Sequence, residues 1–362
     1  MSISVTLDRA GAWFLESGIQ EPLGGVARYY RADLGENRLV STEITGYSIS
    51  TYVYLHQLRG SPGYLDAAQR AARFLVRTAW NSEWRTIPFE YAPDSADEAL
   101  AYFFDLGIIA RGLLSLWRVT RQPELLETAR AAGEAMARDF PAHSAGGYHP
   151  IIRLPAKDPL PGDDRWSRQP GCYQLKAALA WHDLFEATGE QAFRDRFGAA
   201  LASALGSYQQ FLPGSTNPER VMDRLHPFCY FLEGILPCVS EPACANAMRY
   251  GLDVAPRYLR DIAPTFVRSD VYAQILRARL FADRAGVAPL DRLAASEEAE
   301  ALLRFQASAL DIRQHGGFLF GRRGAGLLPH VNPVSAAFAV QALSMWDQFR
   351  RGTPADAYPS LI

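Results

Sequence analysis

Lysine is nearly absent from this chain. Of its 362 residues only Lys157 and Lys176 are lysines, against 35 arginines, so its fixed cations are almost all guanidinium groups. Such forks suit carboxylate and phosphate recognition, although a GC-rich genome produces the same bias. Cysteine is scarce too. Cys172, Cys229, Cys238 and Cys244 form no CxxC pair and no CxxC…HxxxH spacing, which leaves them as reduced core thiols. A zinc set of Cys172 and Cys229 with His226 has looser spacing than such sites use. No sign of charge dominates: the formal net charge of -2 excludes an electrostatic pull toward nucleic acid or an anionic membrane. No run approaches the roughly 18 apolar residues of a membrane span. The stretch MSISVTLDRAGAWFLESG lacks the basic start and apolar run of a secretory signal, so a cytoplasmic location is expected. A DDxxD helix is missing, and Asp163-Asp164 stands in a Pro/Gly loop, which argues against a diphosphate–magnesium site. Neither a cofactor nor a metal is expected.

What the chain does have is apolar residues, 48% of the total, in helical periodicity from end to end. One kind of segment is amphipathic, with arginines and acids on one face: 5–18, 61–79, 123–140, 190–212, 241–262 and 296–309. The other is apolar nearly all round, as buried helices are: 43–58, 104–119, 171–187, 226–238, 269–284 and 332–348. The two kinds alternate six times, and the buried kind recurs about every 58 residues, longer than most solenoid repeats. The expected fold is therefore all-α, an (α/α)6 toroid of six helical hairpins in a single domain over 1–362, with short β-hairpin-like loops on one face. Those loops are the long outer-to-inner connections, GGVARYYRADLGENRLVST, WNSEWRTIPFEY, GGYHPIIRL and GGFLFGRRGAGLLPHV. Short turns such as RGSPG and TRQP fall at the other end, so function is expected on the long-loop face.

Polar residues concentrate where the buried helices begin, where free N–H groups and the helix dipole favour negative charge. Glu43, Asp105 and Asp270 stand there among apolar neighbours, and a carboxylate so placed costs energy unless paired or used. With His226 they are the candidate catalytic groups. Candidate substrate-binding residues at the same end are Tyr47, Trp84, Trp166, Tyr173, Lys176, Tyr230, Glu233, Arg268, Gln274, His330 and Asn332. Several have ordinary structural explanations. Thr42, Ser269 and Asn332 read as N-caps, and Lys176 reads as snorkelling or as the partner of a core acid such as Glu233. Acids and aromatic rings in one concave site are what glycan chemistry needs, since one carboxyl protonates a leaving oxygen while another activates water or attacks.

The ordered set STEITGY, FDLGIIARGLL, CYQLKAAL, HPFCYFLEGIL, RSDVYAQILR and NPVSAAFAVQAL resembles the six-hairpin glycosidase-like superfamily. Within it the chain is most similar to the bacterial VpsJ-type polysaccharide biosynthesis proteins. The resemblance spans about 20–348, rests on no single diagnostic motif, and implies a role in making or trimming an exopolysaccharide, with an oligosaccharide or polysaccharide as substrate and other polysaccharide-synthesis proteins as partners. Relatives in the superfamily include unsaturated glucuronyl hydrolases, which use aspartates, and N-acylglucosamine 2-epimerases, which use histidines; no catalytic residue carries over from either. Three readings follow. The leading one is a glycoside hydrolase-like enzyme, with Asp105 and Glu43 or Asp270 as acid and base. The second is a sugar or uronate epimerase, with His226 or Tyr230 moving the proton and Arg268 holding an acid group. The third is a non-catalytic glycan-binding component.

Overall fold

A computed structural model of the chain describes residues 2–92, 98–142, 147–214, 216–353 and 360–362. Among them are twelve α-helices joined by short strands, and the chain divides into two units.

One unit comprises Gln20–Arg28 and Leu39–Ser207. It holds three hairpins: α2 (Thr42–Arg59) with α3 (Pro62–Phe74), α4 (Phe103–Thr120) with α5 (Pro123–Asp139), and α6 (Gln174–Thr188) with α7 (Gln191–Ser207). The turns explain themselves. Gly60 and Gly189 close α2 and α6 in the left-handed region that only glycine enters without strain, and Pro62 and Pro123 open α3 and α5 where a missing N–H costs nothing. The three buried helices pack backbone to backbone. A Cβ on Gly107 would lie 2.4 Å from the Ala177 carbonyl oxygen, and one on Gly112 would lie 2.4 Å from that of Gly46. Strands β1 (Val26–Ala27) and β4 (Val40–Ser41) pair antiparallel, as do β5 (Leu100–Tyr102) and β6 (Ile151–Arg153) with Ala101 opposite Ile152. β4 runs directly into α2 and β5 into α4, so each strand fixes where a buried helix begins.

The second unit comprises Met1–Ile19, Tyr29–Arg38 and Tyr208–Ile362. Its hairpins are α8 (Pro218–Gly234) with α9 (Pro242–Ile262), α10 (Ser269–Arg284) with α11 (Arg292–Leu303), and α12 (Pro333–Arg350) with α1 (Ile3–Glu16), which closes the first and last helices on each other. Strand β2 (Tyr30–Arg31) lies between β3 (Glu36–Asn37) and β10 (His330–Val331), and β8 (Gly321–Arg323) between β7 (Phe266–Arg268) and β9 (Gly326–Leu327). β7 feeds α10 and β10 leads to α12.

The sequence expectations need three corrections here. Helix α8 begins eight residues before His226, so that histidine lies in mid-helix and Pro227 is accommodated inside the helix. Of the three expected caps only Asn332 acts as one, its side chain accepting from Val334 N and Ser335 N. Ser41 caps α2 instead, while the Thr42 and Ser269 hydroxyls donate to the carbonyls of Pro88 and Leu319, tying each helix start to a neighbouring loop.

Candidate active site

In the Leu39–Ser207 unit the site is a pair of acids. Glu43 is the second residue of α2 and Asp105 the third of α4, both in the first turn. Asp105 is buried, and its Oδ2 has no hydrogen-bond partner among the described residues. Glu43 is half-buried. Burial pushes the Glu43 carboxyl up to about 7, with only Arg28 opposing it. Burial, reinforced by the Glu43 charge, pushes Asp105 well above the carboxylate range. Two acids that desolvate and repel each other hold a proton between them near neutrality. Arg28 does not neutralise them: half-exposed, it leans over the Phe89 ring at 5.1 Å and bonds Glu90 at 3.3 Å.

Aromatic side chains gather at the same helix starts. Burial, Cys172 and Asp105 all push the Tyr173 phenol up, and its hydroxyl donates to the Gln169 carbonyl at 3.0 Å. Trp166 meets Tyr173 edge-on with ring centres 5.1 Å apart, and Phe104 lies 6.3 Å from Tyr173. Tyr102, raised by burial and by Asp105, stacks at a tilt on Phe89 at 4.6 Å. Tyr47 is buried one turn beyond Glu43. Trp84 is not brought into this group by any described ring contact; it sits in a loop turn where its backbone N–H bonds the Asn81 side chain. Lys176 is 0% exposed, which rules out snorkelling.

In the Tyr208–Ile362 unit the groups are balanced by partners. Arg268 grips Asp270 in a two-pronged ion pair, Nε to Oδ1 at 3.0 Å and a terminal nitrogen to Oδ2 at 2.6 Å, and also reaches Asp223 at 3.4 Å. It lies over the Phe320 ring at 4.6 Å. Although burial works the other way, Arg268 and His226 hold the Asp270 carboxyl below its usual range. His226 Nδ1 lies 2.9 Å from Gln274 Oε1 and 3.4 Å from Asp270 Oδ2. Burial and then Arg268 push this imidazole down to about 4, so it is neutral at pH 7. Tyr230 packs edge-on against it at 4.4 Å. Glu233 is ion-paired with Arg277, a fully buried cation over Phe338. His330 packs beside Tyr29 and is pushed down by burial and Arg31.

The sequence put Glu43, Asp105, Asp270 and His226 together as one set of candidate catalytic groups; in the structure Glu43 and Asp105 form one group, and His226, Asp270, Arg268, Gln274 and Tyr230 another. Sequence reasoning missed Arg28, Glu90, Phe89 and Tyr102 as neighbours of the acids, because one arginine among 35 carries no signal. Among the described residues no three His, Cys, Asp or Glu side chains come together as a metal would require, and no helix is long and apolar enough to cross a membrane.

The six hairpins, in buried-then-covering order, define the (α/α)6 fold, shared by carbohydrate epimerases and glycoside hydrolases. The chain is similar in structure to the cellobiose 2-epimerase of Spirochaeta thermophila, with a TM-score of 0.72 and 14% identity over 94% of this chain and 96% of that one. It is similar to a D-mannose isomerase at a TM-score of 0.72 and 10% identity, over 94% and 96% of the two chains. A family 76 glycoside hydrolase from a bovine Bacteroides thetaiotaomicron strain gives 0.62 and 13%, over 95% of this chain and 78% of that one. No protein-family model matches the chain, and no curated protein matches it in sequence.

Proposed function

We propose that the protein is a carbohydrate-processing enzyme that cleaves glycosidic bonds, with Asp105 and Glu43 as its acid and base. The observation that supports this is the unneutralised pair itself: Asp105 is buried with a vacant acceptor, beside Glu43 at about 7. A proton held near neutrality is what a general acid needs, and its partner then serves as base or nucleophile. The Tyr173–Trp166–Phe104 group offers flat apolar faces to the C–H side of a sugar ring. The substrate is then an oligosaccharide or polysaccharide, and an exopolysaccharide is the pool from which we expect it to be drawn.

A second reading, epimerisation, has one observation in its favour: Asp270 and Gln274 both address His226 Nδ1, which leaves the ring's lone pair on Nε2. Against it, a base at about 4 is weak for taking a carbon-bound proton at neutral pH, whereas Glu43 is well matched. Incubating an oligosaccharide panel in heavy-oxygen water and, separately, in deuterium oxide separates the two. Hydrolysis places the heavy oxygen in a product hydroxyl, and epimerisation places deuterium on carbon. Full turnover by a folded Asp105→Asn variant would exclude the carboxylate reading.

A further inference from the structure

Two polar atoms deep in the Tyr208–Ile362 unit have no hydrogen-bond partner among the described residues, Gln274 Nε2 and Ser335 Oγ. Both residues are 0% exposed. Each unsatisfied buried group costs about 1–3 kcal/mol, so native proteins rarely tolerate them without a use.

The two lie in one layer. Helices α10 and α12 begin on the same segment, Ser269 N–H donating to Phe320 O and Asn332 N–H to Phe318 O, each at 2.9 Å. Further along, Arg277 of α10 stacks over Phe338 of α12 at 4.1 Å. Gln274 and Ser335 each precede those contacting residues by three positions, so each lies on the same helix face about one turn nearer its helix start, and the two stand at matching positions on the facing helices. His226 stands in the same layer, bonded to Gln274 and 6.4 Å from the Phe338 ring. Its Nδ1 faces a carboxylate, which only accepts, so Nδ1 carries the hydrogen. That orients the Gln274 amide with its oxygen toward His226 and its NH2 turned away, with two donors to offer.

We infer that this layer is a binding subsite for an uncharged, hydroxyl-rich ligand, a neutral sugar unit, with Gln274 Nε2 and Ser335 Oγ donating to its oxygens. Neutrality follows from the surroundings. Arg268 is already matched by Asp270 and Asp223, and Arg277 by Glu233, so no spare positive charge invites an acid sugar. The assignment takes only its ligand class from the carbohydrate reading above and needs no catalytic step.

The test is Ser335→Ala in the full chain. In the absence of sugar the variant should melt higher than wild type, since it removes an orphaned hydroxyl and little volume. Saturation-transfer NMR and thermal shift with D-mannose, cellobiose and D-gluconate should show the neutral sugars binding wild type, the gluconate no better, and affinity falling about fivefold in the variant, one hydrogen bond's worth. A lower melting temperature without sugar, unchanged affinity, no binding of either neutral sugar, or preference for gluconate would each overturn the subsite. Gln274→Met gives a second reading of the same donors. Because nothing here depends on turnover, these results leave the Glu43–Asp105 proposal untouched, and an inactive Asp105→Asn protein that binds sugar through Ser335 would separate the two in the other direction.

Discussion

Asp105 and Asp270 begin from the same local circumstance and are pushed in opposite directions from the usual carboxylate range. Each lies in the first turn of a buried helix behind a short strand, where the dipole favours an anion. Asp105 has for company another acid and a half-exposed arginine, and burial with the Glu43 charge pushes its carboxyl well above the usual range. Asp270 has a buried arginine bound to both its oxygens, which holds its carboxyl below the usual range. The dipole is worth at most ~2 kcal/mol, less than the desolvation and counter-charge that decide the outcome. An acid at a helix start is therefore an opportunity, and its neighbours settle whether it donates protons or holds a framework together.

The contrast predicts different consequences for equal changes. The largest concerns activity. Asp105→Asn should lower kcat by about a thousandfold while folding normally, whereas Asp270→Asn should act mainly through stability. Circular dichroism and single-turnover kinetics on both variants test this, and equal kinetic losses would erase the distinction.

Next in size is Arg268→Met, which strands the buried Asp270 carboxylate and should cost about 3–5 kcal/mol in denaturant unfolding. A loss under about 1 kcal/mol would mean that the ion pair is as solvated as a surface one.

The third effect has opposite signs in the two regions. The Glu43 pKa is raised from 4.5 to about 7, so its contribution is fully present below about pH 4.5 and is lost as pH rises through 7. Glu43→Gln should therefore stabilise the protein by about 1–3 kcal/mol at pH 8, a figure discounted for its partial exposure, and by little at pH 4. The Asp270 pKa is lowered, so its contribution holds above the unfolded value and fades as pH falls below about 4. Melting curves of Glu43→Gln and Asp270→Asn across pH 3–8 should diverge in opposite directions.

The smallest effect is that of Arg28→Gln. It removes the one cation opposing the Glu43 shift, so the ascending limb of the pH–rate profile, set by Glu43 as base and expected near 7, should move to higher pH with little change in stability, because the Arg28–Glu90 pair is half-exposed.

Much of this architecture is visible in the periodicity of the apolar residues. The segments expected at 43–58, 269–284 and 241–262 are the helices Thr42–Arg59, Ser269–Arg284 and Pro242–Ile262. The failures have local reasons. The 226–238 segment begins instead at Pro218, because the first turns of α8 are polar and Pro227 reads as a boundary when it is in fact interior. The segment expected to run to 309 ends at Leu303, where the chain turns so that Gln306 pairs with Phe318. Thr42 and Ser269 look like caps because capping and loop-anchoring use the same hydroxyl, and only the location of Pro88 and Leu319 decides between them.

By itself, then, the sequence determined the number, kind and order of the helices and put acids and aromatic rings at one end of the buried set, since helical period, burial and capping are short-range properties of the chain. Tertiary structure alone decided that Glu43 faces Asp105 while Asp270 faces Arg268 and His226, and with that which groups keep a proton at pH 7. Such pairings join residues from separate helices, and a side chain's charge depends on the dielectric and counter-charges that distant segments bring to it.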